Sequence, residues 1–275
     1  MPLILTSLKR RRWATTMTKV EEVRVQKALA DRGLASRREA EGWIEEGRVT
    51  VNGATARLGD KCSPGVDRIA VDGKTVPYKV PPALTLAMNK PRGVVCTNRD
   101  PHGGRTVFDL LPPELHRQRL FCVGRLDKDS EGLLLLTNDG DLRQRVSHPS
   151  HRVRKMYEVR LNKPLDPADI PRLRAGIVWE GERLCLEKVF PRKKQDKEEW
   201  RHLEVTLLHG KKRELRRLFY ALKYDVRRLR RLQIGNLRLK GIPRGAFRLL
   251  SKEDLRMLFE DPSPSHPKGR PRGSS

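Results

Sequence analysis

Residues 121–141 read Phe-Cys-Val-Gly-Arg-Leu-Asp-Lys-Asp-Ser-Glu-Gly-Leu-Leu-Leu-Leu-Thr-Asn-Asp-Gly-Asp. Two short apolar runs, Leu120–Val123 and Leu133–Leu136, enclose a polar loop. Runs this short between glycine and aspartate predict buried strands rather than helices, and Asn138-Asp139-Gly140 directly after the second run predicts a turn. The loop contains Asp127, with Arg125 two residues before it. Loop aspartates commonly shape turns through their side chains, and charged structural pairs are common, so spacing alone leaves a catalytic role for Asp127 open.

The composition indicates a polyanion as the partner. The chain has 275 residues, enough for about two domains with separate cores. Its 59 Lys and Arg against 34 Asp and Glu give a formal net charge of +25, which favours nucleic acid. The aromatic content of 5% argues against a long platform of base-stacking rings. The hydrophobic residues occur in periodic segments, which argues against a disordered basic protein.

The cysteines and the apolar segments indicate a cytoplasmic protein without a membrane partner. The four cysteines are widely spaced and form no C-x-x-C pair, so neither a zinc site nor a disulfide framework is predicted. No apolar stretch approaches the length of a membrane span, and the first residues lack the charge order of a signal peptide. Whether Met17 is the native start stays open.

Residues 19–78 predict a small domain of two helices and short strands. The first helix ends near Gly33, and Ser36 with Glu39 forms a capping box at the start of the second. Arg37 and Arg38 lie in the first turn of that helix, where the dipole disfavours cations, so phosphate binding is favoured over a solvated face. Two similar segments, Arg48–Gly53 and Arg68–Gly73, alternate apolar and polar residues and end in Asn-Gly or Asp-Gly. Each therefore predicts a hairpin.

Three stretches of this domain resemble the alpha-L RNA-binding module of a ribosomal small-subunit protein and several RNA-modifying enzymes. They are Arg24-Val-Gln-Lys-Ala-Leu-Ala, Gly33-Leu-Ala-Ser-Arg-Arg-Glu-Ala and Gly47-Arg-Val-Thr-Val-Asn-Gly. The resemblance implies RNA binding, and the expected contacts are Lys27, Arg37 and Arg38.

The rest of the chain predicts an α+β domain with a mixed, mainly antiparallel sheet flanked by helices. Helical segments are expected near Pro167 and Gly210, and residues 191–201 are expected to form an exposed loop or strand turn. The expected divisions are a flexible basic arm at 1–18, the small RNA-binding domain at 19–78, a linker at 79–84, the catalytic domain at 85–258 and a disordered tail at 259–275.

Residues 211–231 contain ten Lys or Arg against two acids. Their first part predicts an amphipathic helix, with an apolar stripe formed by Leu215, Leu218, Phe219 and Leu222. The opposite side carries Arg213, Arg216 and Arg217. Either a bound anion or acids elsewhere in the fold must offset their repulsion, and the run of like charges favours phosphate contact by these arginines.

Several stretches in the right order resemble the RsuA/RluB family of pseudouridine synthases, from about Val25 to Leu250. They are Asn89-Lys-Pro-Arg-Gly-Val, residues 100–112, Gly124-Arg-Leu-Asp127 with residues 132–140, His148-Pro149, Lys155-Met-Tyr157-Glu-Val, and Gly210-Lys-Lys-Arg-Glu-Leu-Arg-Arg217. Residues 100–112 look more like the RluB branch, which acts on large-subunit ribosomal RNA. The chain departs from the family at His209–Glu214 and at Gly104-Arg105, where Arg105 is still expected to contact RNA.

The resemblance implies isomerisation of a uridine in ribosomal RNA, without metal or organic cofactor. Asp127 would be the essential carboxylate, acting on the sugar C1′ or assisting elimination there. Tyr157 would stack on the target base, and Lys211 would pair with the aspartate. Arg125 would fill the base stack when the nucleotide flips out. The expected partner is ribosomal RNA, free or in a pre-ribosomal particle, and the chain is expected to be a monomer.

Other functions stay open at this point. The fold could serve a non-catalytic RNA-binding or ribosome-assembly factor, or the same reaction on small-subunit ribosomal RNA. A DNA-binding regulator is disfavoured because no helix-turn-helix or zinc pattern is present. His148 and His151 are interpreted as structural, since no partner ligands lie at metal spacing.

Overall fold

The computed structural model describes residues 21–98, 100–101, 103–192 and 199–260. The predicted basic arm at 1–18, residues 193–198 of the predicted exposed loop, and the predicted tail from residue 261 onward lie outside the described residues. The chain divides into two compact units, with the division between Pro81 and Pro82. No helix of the described ranges is both long and apolar enough to cross a membrane.

Among its described residues, 21–81, the N-terminal unit combines two helices with six short strands. The helices are α1 (Val25–Asp31) and α2 (Arg37–Glu45). The strands are β1 (Val23–Arg24), β2 (Val49–Val51), β3 (Ala54–Thr55), β4 (Lys61–Cys62), β5 (Ile69–Val71) and β6 (Lys74–Thr75). Strands β3-β2-β5-β6 form one antiparallel sheet, and β1 pairs with β4.

Local sequence signals account for the turns of this unit. The capping box is present: the Ser36 hydroxyl accepts from the Glu39 amide at 3.1 Å, and the Glu39 carboxylate accepts from the Ser36 amide at 3.1 Å. Asn52 and Asp72 adopt positive φ angles of 52° and 50° directly before glycines, as tight hairpin turns require. The predicted helix end near Gly33 and both predicted hairpins are therefore confirmed.

The C-terminal unit contains eleven strands and five helices among its described residues. The strands are β7 (Thr85–Lys90), β8 (Phe121–Val123), β9 (Glu131–Thr137), β10 (Lys155–Leu161), β11 (Ile177–Trp179), β12 (Glu182–Leu184), β13 (Lys188–Pro191), β14 (His202–Leu207), β15 (Val226–Ile234), β16 (Leu237–Arg238) and β17 (Phe247–Leu249). The helices are α3 (Pro113–His116), α4 (Gly140–Ser147), α5 (Ile170–Ala175), α6 (Glu214–Tyr220) and α7 (Lys252–Met257).

One mixed sheet organises this unit. Its strand order is β13-β14-β10-β15-β9-β7-β17, with β8 added on β9 and β16 on β15. The β15–β9 pair is parallel, and the other pairs are antiparallel. The prediction of an α+β fold with a mixed, mainly antiparallel sheet is confirmed.

The run Leu133–Leu136 is apolar throughout because both faces of β9 are covered. Leu134 and Leu136 join one core with the apolar side of α6, whereas Leu133 and Leu135 join a second core with α4. All four leucines are fully buried, and each such side chain stabilises the fold by roughly 1.5–3 kcal/mol. The predicted buried strands around the Asp127 loop are thereby confirmed as β8 and β9.

One local prediction differs from the structure, and the predicted helix in the first part of residues 211–231 is confirmed as α6. Asn138-Asp139-Gly140 was expected to be a turn, but Asp139 caps α4 by accepting from the amides of Asp141 and Leu142, each at 2.9 Å. Residues 211–231 were treated as one basic segment whose first part is helical. Only Glu214–Tyr220 is helical, and the second half of the segment belongs to β15. The helix ends because Lys223 adopts a positive φ of 62° and the amide of Tyr224 donates back to the Phe219 carbonyl.

Candidate active site

Three neighbouring strands bring residues from distant parts of the chain into one row. Gly132 of β9 lies opposite Arg231 of β15, and Arg231 lies opposite Tyr157 of β10. Two strand spacings of about 4.8 Å put the Cα atoms of Tyr157 and Gly132 roughly 10 Å apart. Asp127 lies in the loop that leads into β9. The sheet therefore places Tyr157 two strands away from Gly132, which lies five residues after Asp127 in the chain.

Gly132 permits this arrangement through a close backbone approach. Its φ is +105°, and a Cβ atom there would lie 2.2 Å from the carbonyl oxygen of Arg231. Contacts that short are sterically forbidden, so any larger residue would push β15 away from β9. The glycine sets the spacing between the Asp127 loop and the strand that carries Arg231.

Lys90 fixes the backbone of the Asp127 loop. Its side chain is fully buried, and its ammonium donates to the carbonyl oxygens of Pro91 at 3.1 Å, Asp127 at 3.1 Å and Ser130 at 2.7 Å. Burial lowers the pKa of Lys90, while the charges of Cys96, Asp129 and Asp127 favour its protonated form. Sequence reasoning assigned Lys90 no role, although a lysine that ends an otherwise apolar strand signals a special environment.

The Asp127 side chain is half-buried, and its charge interacts with those of Arg216 and Lys90. The Arg216 guanidinium binds Asp129 at 2.8 Å and donates to the Val226 carbonyl at 2.8 Å. Burial lowers the pKa of Arg216, and the charges of Asp129 and Asp127 oppose that shift. Arg216 therefore provides positive charge beside both carboxylates of the loop.

Lys211, in contrast, lies elsewhere. Its ammonium donates to the carbonyl oxygen of Arg183 at 2.8 Å, and its charge acts on Glu182 and Glu214. Within the described ranges no ion pair joins Lys211 to Asp127. The expectation that Lys211 lies beside Asp127 therefore disagrees with the structure. The physical reason is that Lys211 precedes α6 and turns toward β12, whereas Arg216 lies within the helix and faces the loop.

The remaining arginines of this segment also differ from expectation. Arg217 forms ion pairs with Glu182 and, at 3.6 Å, with Glu180. Its side chain and that of Arg216 are only 18% and 15% exposed. Acids elsewhere in the fold therefore offset part of the charge of both arginines. Arg213 is exposed at the start of α6 and stays available to RNA.

The other predicted site residues differ in their exposure. Tyr157 is 7% exposed and packs in the apolar core on one face of the sheet. Arg125, in the Asp127 loop, is exposed, and so is Arg105. In the N-terminal unit Arg37 and Arg38 are exposed in the first turn of α2. Lys27 forms an ion pair with Asp31 at 2.7 Å, which reduces its availability to phosphate.

A cleft of about 540 Å³ opens at the sheet edge where β9 and β15 begin. Among its lining residues are the acids Asp129 and Glu131, which place it beside the Asp127 loop. Six arginines also line it: Arg92, Arg160, Arg201, Arg227, Arg228 and Arg244. Arg228 forms an ion pair with Glu131. Sequence reasoning missed this cleft because its arginines come from separate segments that only the folded sheet brings together.

Comparisons with known proteins agree with this geometry. Residues 85–221 match the family described as RNA pseudouridylate synthase, and residues 23–67 match the S4 domain. The ribosomal large subunit pseudouridine synthase B of Haemophilus influenzae is 38% identical over 253 residues, which cover 90% of this chain and 70% of the relative. Its namesake from Escherichia coli strain K12 is 39% identical over 243 residues, which cover 86% of this chain and 82% of the relative.

A solved structure gives the same assignment. A crystal structure of pseudouridylate synthase superimposes with a TM-score of 0.62 and 28% sequence identity, covering 86% of this chain and 99% of the other. Both the resemblance inferred from the sequence motifs and the RNA-binding module at the N-terminus are thereby confirmed. The chain belongs to the RNA pseudouridine synthase family.

Proposed function

We propose that this enzyme converts a uridine of large-subunit ribosomal RNA into pseudouridine, with Asp127 as the essential carboxylate. The observation that carries the proposal is the Asp127 loop, which Lys90 fixes at an arginine-lined edge of the sheet beside Arg216. The names of the relatives from Haemophilus influenzae and Escherichia coli support the large subunit as the source of the RNA.

The reaction is an isomerisation, so the site needs no co-reactant. The bond between uracil N1 and ribose C1′ breaks, the base turns while bound, C5 joins C1′ and loses its proton, and N1 gains a proton. Aspartate carboxylates are ionised at neutral pH and can act as nucleophiles at C1′ or assist elimination there. Arg216, which is half-buried and always charged, binds Asp129 at 2.8 Å and places positive charge beside Asp127, which holds the loop at the cleft.

Tyr157 and Arg125 act on the base and on the space that it leaves. A stacked uridine hides its glycosidic bond, so the nucleotide must flip out of its helix to react. Tyr157 lies in the same row as Gly132 at the entrance to β9, where its ring can stack on the flipped uracil. Arg125 is exposed on the Asp127 loop and fills the vacated position in the RNA stack.

The arginine-lined cleft beside the Asp127 loop grips the RNA backbone. Three of its six arginines, Arg92, Arg160 and Arg244, form no ion pair with any residue that the structure describes. Guanidinium groups bind phosphate through two parallel hydrogen bonds, so they suit this role. Arg105 and Arg213 add exposed cations in the same unit, and Arg37 and Arg38 supply a second contact from the S4 domain.

We also propose an oligomeric state and a cellular compartment for the enzyme. The enzyme acts as a monomer in the cytoplasm on ribosomal RNA, either free or within a pre-ribosomal particle. Its units are the small RNA-binding domain at residues 19–78 and the catalytic domain at 85–258, joined by a linker at 79–84. The contact-based division between Pro81 and Pro82 falls within that linker.

Mapping of pseudouridines tests the proposal. Ribosomal RNA from cells without the protein should lack a pseudouridine in the large-subunit RNA, and purified protein should restore that site in vitro. Loss of a small-subunit site instead would assign the same reaction to the other subunit. An unchanged map would contradict the proposed activity and favour a role in RNA binding or ribosome assembly.

A further inference from the structure

Two cysteine thiols lie in contact beside the Asp127 loop. Cys122 belongs to β8, and Cys96 follows β7; their side chains are hydrogen-bonded to each other and partly exposed. The side-chain amide of Asn98 donates to the Leu120 carbonyl at 3.3 Å, which keeps the two segments side by side. The chain therefore holds a preformed dithiol in the C-terminal unit.

The dithiol is joined directly to the catalytic loop. The Leu126 amide, next to Asp127 in sequence, donates to the Cys96 sulfur at 3.5 Å. Cys122 lies near the end of the strand that leads into the same loop. Any change in bonding between the two sulfurs thus acts on both ends of the segment 123–126.

Two buried cations favour the anionic form of Cys96. Arg231 is 2% exposed, and its Nη2 atom has no hydrogen-bond partner among the described residues. The pKa of Cys96 is lowered, chiefly by the hydrogen bond from Cys122 and further by the Leu126 amide, Lys90 and Arg231. The pKa of Cys122 is raised, chiefly because its thiol proton is shared with Cys96. Because Cys96 accepts the Leu126 amide hydrogen bond and faces Lys90 and Arg231, we assign it as the nucleophilic thiol and Cys122 as the second thiol of the pair.

We propose that Cys96 and Cys122 form a site of reversible oxidation by peroxides. In the first step the Cys96 sulfur attacks one peroxide oxygen; an S–O bond forms, the O–O bond breaks, and water leaves with the Cys96 proton. In the second step the Cys122 sulfur attacks the Cys96 sulfur; an S–S bond forms, the S–O bond breaks, and a second water leaves with the Cys122 proton. One hydrogen peroxide is thus reduced as two thiols become one disulfide.

Oxidation should also alter turnover, an expectation that rests on the proposed function. The disulfide removes the anionic acceptor of the Leu126 amide and the negative charge that faces Lys90 and Arg231. The Asp127 loop then loses the hydrogen bond from the Leu126 amide to Cys96 as an anchor. The loss of charge also changes the surroundings of Lys90, whose ammonium donates to the Asp127 carbonyl. We expect pseudouridine formation at saturating RNA to fall at least about tenfold, equivalent to ~1.4 kcal/mol.

The chemistry can be tested on the wild-type full chain without measuring its activity. The protein is treated with hydrogen peroxide, remaining thiols are blocked with iodoacetamide, and peptides are analysed by mass spectrometry. We expect a Cys96–Cys122 link that dithiothreitol reverses, while Cys62 and Cys185 are alkylated. Absence of that link, or preferential oxidation of Cys62 or Cys185, would overturn the proposal.

Variants separate the two thiols and control for folding. Cys122→Ser should leave a sulfenic acid at Cys96 that dimedone traps, whereas Cys96→Ser should leave Cys122 unreactive. A protein carrying both Cys62→Ser and Cys185→Ser is the matched control and should form the link as the wild type does. Dimedone labelling of Cys122 in the Cys96→Ser protein would reverse the assigned roles and contradict the proposal.

The rate measurement distinguishes this inference from the proposed function. Peroxide should slow single-turnover pseudouridine formation by the wild type, and dithiothreitol should restore it. If the link forms but the rate stays unchanged, the coupling to the Asp127 loop is wrong. If the reduced protein forms no pseudouridine on ribosomal RNA, the proposed function fails, while the mapped disulfide still supports the oxidation site.

Discussion

Replacing Lys90 with methionine should destabilise the catalytic unit and slow the reaction together. The change removes three hydrogen bonds from a fully buried ammonium to the carbonyl oxygens of Pro91, Asp127 and Ser130. Hydrogen bonds to a charged group contribute about 1.5–3 kcal/mol each, which gives an upper bound of roughly 4.5–9 kcal/mol. Methionine avoids the cost of burying a charge but removes a donor from all three carbonyls, of which the Asp127 carbonyl keeps a bond from the Ser130 amide at 3.0 Å, so we expect a loss of about 3–5 kcal/mol.

Two assays measure the two effects. Urea unfolding followed by the fluorescence of Trp179 and Trp200, with Trp13 and Trp43 replaced by phenylalanine, reports on the C-terminal unit alone. Single-turnover pseudouridine formation at saturating RNA, under conditions where both proteins are folded, reports on the Asp127 loop. Lys128→Met is the matched control, because Lys128 is exposed on the same loop, and it should change stability by less than about 0.5 kcal/mol.

Two outcomes would contradict the predicted role of Lys90. If Lys90→Met unfolds within about 1 kcal/mol of the wild type, the three carbonyls do not depend on the ammonium. If stability falls but the folded variant reacts at the wild-type rate, Lys90 supports the fold without positioning Asp127.

Three further predictions follow from the structure. Gly132→Ala should destabilise the enzyme by about 2–5 kcal/mol in urea unfolding, since its Cβ would overlap a backbone carbonyl. Gly93→Ala is the control and should cost less, because Gly93 has a similar φ but open space around it. Equal losses of stability in the two variants would show that the φ angle alone causes the effect. Arg216→Met should lower the rate at saturating RNA by about 10²-fold, whereas Lys211→Met should stay close to the wild type; the reverse result would restore Lys211 as the partner of Asp127. Replacing the Arg37–Arg38 pair with glutamine should flatten the log-log salt dependence of RNA binding by roughly 0.7–0.9 per arginine, and an unchanged slope would show that the pair contacts no phosphate.

The parts of the fold that local patterns determine could be predicted from the sequence. The strands on either side of Asp127, the capping box at Ser36 and the stripe from Leu215 to Leu222 each depend on residues a few positions apart. These elements can therefore be predicted without knowing which distant residues pack against them. The segment Asn138–Gly140 was misread because aspartate before glycine is typical of both turns and helix starts.

The charged part of the site could not be predicted in the same way. Lys211 and Arg216 are equivalent as local signals, and only the packing of α6 against the Asp127 loop and β12 decides which one faces the carboxylates. Arg217 looked available to phosphate because its partners, Glu180 and Glu182, lie more than thirty residues earlier in the chain. Ion pairs of this range depend on tertiary structure and leave no periodic signal.

The most direct test of the central claim is the single-turnover rate of Asp127→Asn on saturating ribosomal RNA. The substitution keeps the size of the side chain and removes the charge beside Arg216. Pseudouridine formation should be abolished, while affinity for RNA stays equal or rises because one negative charge near phosphate is lost. Substantial turnover by the folded variant would contradict the assignment of Asp127 as the essential carboxylate.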